Sequence, residues 1–347
     1  MISAKRKSAL ALTVAGVVAL SFAPATAATN AKKARTGAGY IARQQEDNGS
    51  IVAFSEYGST SDAIVALVAA ERGRKEIKAA LGFLARRVRN GKAFKDPDTG
   101  VLGKIATAVE AAGKNSRRFG TENLVKRIMG LQRPSGRLGK GTEVNSQALM
   151  ILGLAAADKQ VPRKVVTWLR DARCDDGGWA LDNPPGPNDD EHCKDATDPN
   201  DFFTSDSNTT ANAIMALEAA GRKAPASAFA FLDTLRDEEG GGWGFTQGFA
   251  ATDANSTGLV VQAYVAANRD LPAGAMAGLK GLQFPLCGKN GGAFDFTYGD
   301  DDSDGNADND PPNLGATIAA VPALMKKTLP LEPFKVTRPV PSRKPCN

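Results

Sequence analysis

The sequence predicts an all-α fold: an α/α toroid of six helical hairpins, with six parallel inner helices standing inside six outer ones. Three observations predict it. A glycine-centred marker recurs six times, mostly at intervals of roughly 40 to 50 residues. Amphipathic helical segments lead into the markers, and an alanine-rich helical segment follows each. Once these are assigned, no stretch is left that reads as a domain of strands.

In chain order, the first 28 residues read as a secretion signal. Lys5, Arg6 and Lys7 precede an apolar run from Leu10 to Phe22, and Ala25-Thr26-Ala27-Ala28 offers cleavage near Ala27 or Ala28. The toroid is expected over 29–327. Its clearest marker is Gly240-Gly241-Gly242-Trp243-Gly244-Phe245, and Asp175-Asp176-Gly177-Gly178-Trp179-Ala180 matches it well. Asn290-Gly291-Gly292-Ala293-Phe294 is looser, and weaker forms sit at Asn48-Gly49, Asn90-Gly91 and Ser135-Gly136. Segments such as "IKAALGFLARRVRN" and "ASAFAFLDTLRD" lead into markers with apolar residues at helical spacing; Phe229, Leu232 and Leu235 share a face. Segments such as "NTTANAIMALEAAG" and "NSTGLVVQAYVAANRD" follow them, and several end at a C-capping glycine. An acidic insert, about 181–203, lengthens one interval. The tail from Thr328 holds too many prolines for a helix and is expected to be extended. A helix pair cannot bury its apolar face alone, so hairpins must stack, and six is the number that closes a ring.

Charge is uneven. The net charge is +5, of which Lys5, Arg6 and Lys7 supply three. Bases outnumber acids from Arg72 to Lys140, whereas Asp175 to Asp206 holds ten acids and one base, and Asp295 to Asp310 seven acids and none. The basic part is poor in aromatics, so a nucleic-acid partner is not expected. No segment after the signal is long and apolar enough to span a membrane. Four cysteines in an exported chain favour disulfides, with Cys174 paired to Cys193 and Cys287 to Cys346. Zinc is not expected, since there is no CxxC and His192 is the only histidine.

"FLDTLRDEEGGGWGF", "WLRDARCDDGGWA" and "TDANSTGLVVQAYVAA" resemble the prenyltransferase and squalene-oxidase repeat superfamily, strongest from Val165 to Ala267 and faint before Glu122. The resemblance implies the toroid. It does not carry over an activity. Its cyclases use an Asp-x-Asp-Asp acid, but Asp300-Asp301-Asp302-Ser303 ends in serine. The zinc set of its protein prenyltransferases is not reproduced by His192-Cys193, nor the thioester string Cys-Gly-Glu-Gln by Cys287-Gly288-Lys289-Asn290.

Candidate sites remain. A polar pattern opens the alanine-rich helices: Thr142-Glu143-Val144-Asn145-Ser146, Ser205-Asp206-Ser207-Asn208-Thr209 and Thr252-Asp253-Ala254-Asn255-Ser256, with looser forms at Ser61-Asp62 and Asn313. These residues cap helix N-termini. Parallel inner helices would also gather Asn145, Asp206, Asn208, Asp253 and Asn255 around one mouth, with Trp179 and Trp243 nearby, to bind a small polar ligand such as a glycan or a corrinoid. Asp206 and Asp253 could also serve as paired acids, which such chemistry needs about 5 to 10 Å apart. Asp302, Asp304, Asn306, Asp308 and Asp310 alternate like calcium ligands, though glycine and glutamate do not fall where an EF-hand places them; Asp189, Asp190, Glu191, Asp195, Asp198 and Asp201 form a weaker candidate. The expected function is ligand binding without catalysis in a secreted protein. A carbohydrate-active or terpenoid-cyclase-like enzyme and a structural cell-surface protein are the alternatives.

Overall fold

The computed structural model of the chain describes residues 25–94, 100–139, 143–182, 193, 204–297 and 311–346. Outer and inner helices alternate along the chain. The first half holds outer α1 (Ala25–Arg43), inner α2 (Glu56–Ala69), outer α3 (Arg74–Arg89), inner α4 (Gly100–Ala111), outer α5 (Leu124–Gly130) and inner α6 (Val144–Ala156). The second half holds outer α7 (Arg163–Asp171), inner α8 (Ser207–Ala219), outer α9 (Ala226–Thr234), inner α10 (Ala254–Ala266), outer α11 (Ala275–Gly281) and inner α12 (Leu314–Leu324). Each inner helix packs on the next, and α12 packs on α2, so the ring closes. The outer α1 lies against α12 and α2 and covers the seam.

Composition explains which helices stand inside. A helix packed on every side needs small residues. A Cβ on Gly103 of α4 would lie 2.2 Å from the Leu149 carbonyl oxygen of α6, and one on Gly258 of α10 would lie 2.7 Å from that of Ala319 in α12. Outer helices show one apolar stripe: in α7, Val165, Val166 and Leu169 are buried while the rest faces outward or lies partly covered.

The marker is a repeated joint. Gly177 has φ of 97°, and a Cβ there would sit 2.4 Å from the Ser227 carbonyl oxygen of α9. Gly136 meets Lys164 of α7 in the same way, Gly49 meets Ala79 of α3, and Gly292 meets Thr36 of α1. Thus the turn after one outer helix rests on the next outer helix, and the last rests on the first. Two residues on, an apolar side chain enters the core and its N–H donates to the following inner helix. Trp179 donates to Thr210 Oγ1, Trp243 to Thr257 Oγ1 and Phe294 to Thr317 Oγ1, each at 2.9 Å, and Ile51 to Thr60 Oγ1 at 3.0 Å. Leu138 uses Gln147 Oε1 at 2.7 Å. The marker at Asn90-Gly91 departs from this, since nothing lies within 4 Å of a Cβ built on Gly91.

Both expected disulfides are formed, Cys174–Cys193 and Cys287–Cys346. A two-residue antiparallel ladder, β1 (Trp179–Ala180) with β2 (Ser205–Asp206), brackets the acidic insert. The tail is extended and straps the end of the ring where inner helices finish. Phe334 N–H donates to the Ala111 carbonyl at the end of α4, and the N–H groups of Gly73 and Arg74 donate to Arg338.

Candidate functional site

The starts of the inner helices face one central cavity of about 240 Å3. Side chains arrive in layers because successive inward positions are one turn apart. The second residues of α6, α8 and α10 are Asn145, Asn208 and Asn255, and all three line the cavity. One turn deeper come Leu149, Asn212 and Leu259 from the same helices. Pro322 of α12 and Leu329 of the tail also line it. The cavity therefore has amide groups toward its mouth and a largely apolar interior.

The amides are partly engaged with each other. Asn212 Nδ2 donates to Asn145 Oδ1 at 2.9 Å. Asn208 Oδ1 is buried and has no hydrogen-bond partner among the described residues. Gln262 Nε2 is turned to the carbonyls of Gly258 and Ala319, bridging α10 and α12. On the opposite wall Lys104 of α4 forms an ion pair with Asp62 of α2 at 2.7 Å. Phe54 lies on the rim and is 76% exposed. Its ring covers the first turn of α12, where a Cβ on Gly315 would come within 2.2 Å of it.

Three of the expected mouth residues, Asn145, Asn208 and Asn255, are thus brought together. The structure places the other four in the wall. Asp206 caps α8, accepting from Thr209 N–H at 2.7 Å, and Asp253 caps α10, accepting from Ser256 N–H at 2.6 Å. Burial pushes the carboxyl of Asp206 up to about 7 and that of Asp253 up to about 6, against hydrogen bonds that favour the charged form. Trp179 and Trp243 are fully buried marker residues; Trp179 Nε1 donates to the Leu169 carbonyl and the ring of Trp243 lies against Tyr264. Neither tryptophan lines the cavity, because the pairing of its N–H with the inner helix turns the indole into the layer between inner and outer rings.

Ser61-Asp62 is not a helix start. The helix begins five residues earlier, at Glu56, and this puts Asp62 on the cavity face of α2. Asn313 does cap, accepting from Ala316 N–H at 2.9 Å, while Glu143 instead accepts from the Ser146 hydroxyl. Asp237, just past the close of the outer helix before the marker, accepts from Thr252, Glu239 and Gly240 and holds the marker turn to the entry of α10. The site residues that sequence reasoning missed are Phe54, Lys104, Asn212 and Gln262, while Asp62 was singled out as part of a helix start rather than as a cavity residue. Asn212 had a signal, since it follows Asn208 by one helical turn in a segment otherwise rich in alanine.

The calcium candidates Asp302, Asp304, Asn306, Asp308 and Asp310 lie outside the described residues, as do His192 and Asp189, Asp190, Glu191, Asp195, Asp198 and Asp201 of the insert. Residues 1–24 of the expected signal also lie outside them. Among the described residues, no group of three or more histidine, cysteine, aspartate or glutamate side chains is arranged to hold a metal ion, and no helix is long and apolar enough to cross a membrane.

No protein-family model and no curated protein sequence matches the chain. Solved structures do. A protein from Actinoplanes is similar at 16% identity and a TM-score of 0.56, covering 86% of this chain and 99% of its own. A type II terpene cyclase from Scytonema in complex with geranylgeranyl dihydroxybenzoate is similar at 15% identity and 0.57, covering 87% and 98%. An inactive variant of an α-1,6-mannanase of Salegentibacter in complex with α-1,6-mannotetrose is similar at 14% identity and 0.53, covering 86% and 98%. At these identities the likeness is one of fold: the chain has the α/α toroid that these neighbours have.

Proposed function

We propose that the protein binds a small hydroxyl-rich ligand, such as the terminal sugar of a glycan, at the mouth of the inner ring, and that it does so without chemistry of its own. The observation that carries this reading is the set of four asparagine side chains, from three successive inner helices, that face one small cavity. A carboxamide both donates and accepts, which suits hydroxyl groups. Asn208 Oδ1 makes no hydrogen bond among the described residues, so its carboxamide is free to turn toward an incoming hydroxyl. Phe54 adds an exposed ring at the rim for the apolar face of a sugar. Neighbours of the same fold were captured with a mannan oligomer and with a geranylgeranyl substrate, so the fold admits either class and the choice of a glycan rests on the cavity itself. A corrinoid or a polyprenyl chain fits less well, because about 240 Å3 is below the roughly 300 to 1,000 Å3 of pockets that bury drug-sized ligands.

Two observations favour binding over the alternatives. Asp62 is the one carboxylate among the described cavity residues, and it is already paired with Lys104. Two-carboxylate hydrolysis needs a second acid nearby, and Asp206 and Asp253 are committed to capping. A purely structural surface protein has no need of a polar cavity with an aromatic rim. The reading includes export, with which the two disulfides are compatible. It also includes calcium at Asp302, Asp304, Asn306, Asp308 and Asp310, for which a fall in melting temperature with EDTA is the expected sign.

The test is calorimetric titration of the purified protein with mannose, glucose and their α-linked oligomers. Saturable binding is expected for at least one of them. A joint Asn208→Ala and Asn255→Ala change is expected to weaken it at least tenfold with the melting temperature kept. Absence of saturable binding across the set, or release of shorter sugars on incubation, would overturn the reading.

A further inference from the structure

The face opposite the mouth carries a second concavity. The start of α3, the connection that leaves α4 and the strapped tail form a groove of about 670 Å3. Five cations line it: Arg74 and Lys78 from α3, Lys114 and Arg118 from the connection, and Lys335 from the tail. No carboxylate lines it. All five side chains are exposed, and none is in an ion pair among the described residues. The floor is apolar, made by buried Ile77, Leu81, Phe119 and Val336.

This arrangement concentrates positive potential. Like charges held on several walls of a cleft with a low-dielectric floor focus their field into it. The Ala111 carbonyl at the finish of α4 is occupied by Phe334 N–H. A solvated face usually intersperses acids with bases, as this molecule does around Glu56–Arg87 and Glu122–Arg127. Here the bases gather unpaired, in a concavity that a flat surface cannot enter but a chain can.

We infer that this groove binds a linear phosphate polyanion, a chain of repeated phosphate groups such as a phosphodiester-linked polymer. Successive phosphates run between the α3 wall and the Lys114–Arg118 wall, and Lys335 closes the third side. The site is separate from the sugar-binding mouth, so the two ligands are bound independently.

The experiment is titration of the whole protein with long-chain inorganic polyphosphate at several salt concentrations. The wild type is expected to bind, with affinity falling steeply as salt rises. The triple variant Lys78→Gln, Lys114→Gln, Arg118→Gln is expected to lose at least tenfold in affinity. Its salt slope should drop by about 2, at roughly 0.7 per lost phosphate contact. Should the triple variant not fold, Lys78→Gln and Lys114→Gln are read singly, each with a slope loss of about 0.7. A control with the same change in charge outside the groove, Arg163→Gln, Arg222→Gln, Lys223→Gln, is expected to bind as the wild type does. The Asn208→Ala, Asn255→Ala variant is expected to bind polyphosphate unchanged, which separates this inference from the reading of the mouth. Wild-type affinity in the triple variant, or an equal loss in the control, would overturn the inference. So would capture by phosphatidylglycerol vesicles without binding of polyphosphate, which would make the face a membrane contact.

Discussion

An aspartate that opens a buried helix feels two opposed pulls on its proton. For Asp206 and Asp253, burial outweighs the N–H groups that favour the anion, and their carboxyls are pushed up to about 7 and about 6. The sign follows from linkage. Between the ordinary carboxylate range and the raised values, the folded state holds more protons than the unfolded state, so stability falls as pH rises. The melting temperature is therefore expected to decline from about pH 4 to about pH 7 and then level off, as far as these two groups control it. Asp206→Asn keeps an N-cap and removes the charge, so it should flatten part of that decline, whereas Asp206→Ala should cost about 1 kcal/mol through the lost cap. Melting curves of the three proteins at pH 4, 6 and 8 check both points. Trp243 makes the complementary case. Its Ala variant should cost about 3 to 5 kcal/mol, the usual loss for a buried aromatic, with sugar binding retained wherever enough folded protein remains. The polar starts of the inner helices were legible in the sequence as caps and as mouth residues together. Which residue does which was not, because that depends on the direction of each side chain around its helix axis.

The marker turn is the element that makes the hairpins a ring. Its glycine lies against the next outer helix, and its apolar residue ties the turn to the next inner helix. Gly177→Ala should therefore destabilise through both the left-handed angle and the 2.4 Å approach to Ser227, by about 1 to 3 kcal/mol. Thr210→Val keeps the shape but leaves the buried Trp179 N–H unpaired, and the expected loss is again about 1 to 3 kcal/mol. Urea melts of the single variants measure both losses, and Gly91→Ala, where no neighbour is met, gauges the left-handed angle alone. The repeat was legible because six turns pose the same backbone problem and solve it with glycine. The partner of each turn was not legible, since threonine or glutamine on a helix reads as an ordinary polar residue until the turn that it serves is in place.

Over the whole molecule, the ring is closed twice: by α12 on α2, and by the tail across the ends of the inner helices. The Cys287–Cys346 bridge anchors that tail over a separation of 59 residues. By loop-closure entropy its removal should cost about 4 kcal/mol. A Cys287→Ser, Cys346→Ser variant is expected to melt earlier and to lose polyphosphate affinity, because Lys335 rides on the strap. The same variant with sugar binding unchanged at low temperature would place the loss on the strapped face alone. The two faces differ in chemistry as well as position, with amides and a cavity of about 240 Å3 at one end and, among the described residues, unpaired bases at the other.

The sequence by itself determined the all-helical repeat, the division into small-residue inner and amphipathic outer helices, and the extended tail. Each of these is set by local geometry or by spacing along one chain. It favoured disulfides, but their pairing is seen only in the structure. Only the tertiary structure decided which polar residues face the cavity, that the tryptophans belong to the wall, and that Phe54, Asp62 and Lys104 belong to the site. Those choices come from how helices distant in sequence are rotated against each other once the ring closes, and the closure depends on all six hairpins at once.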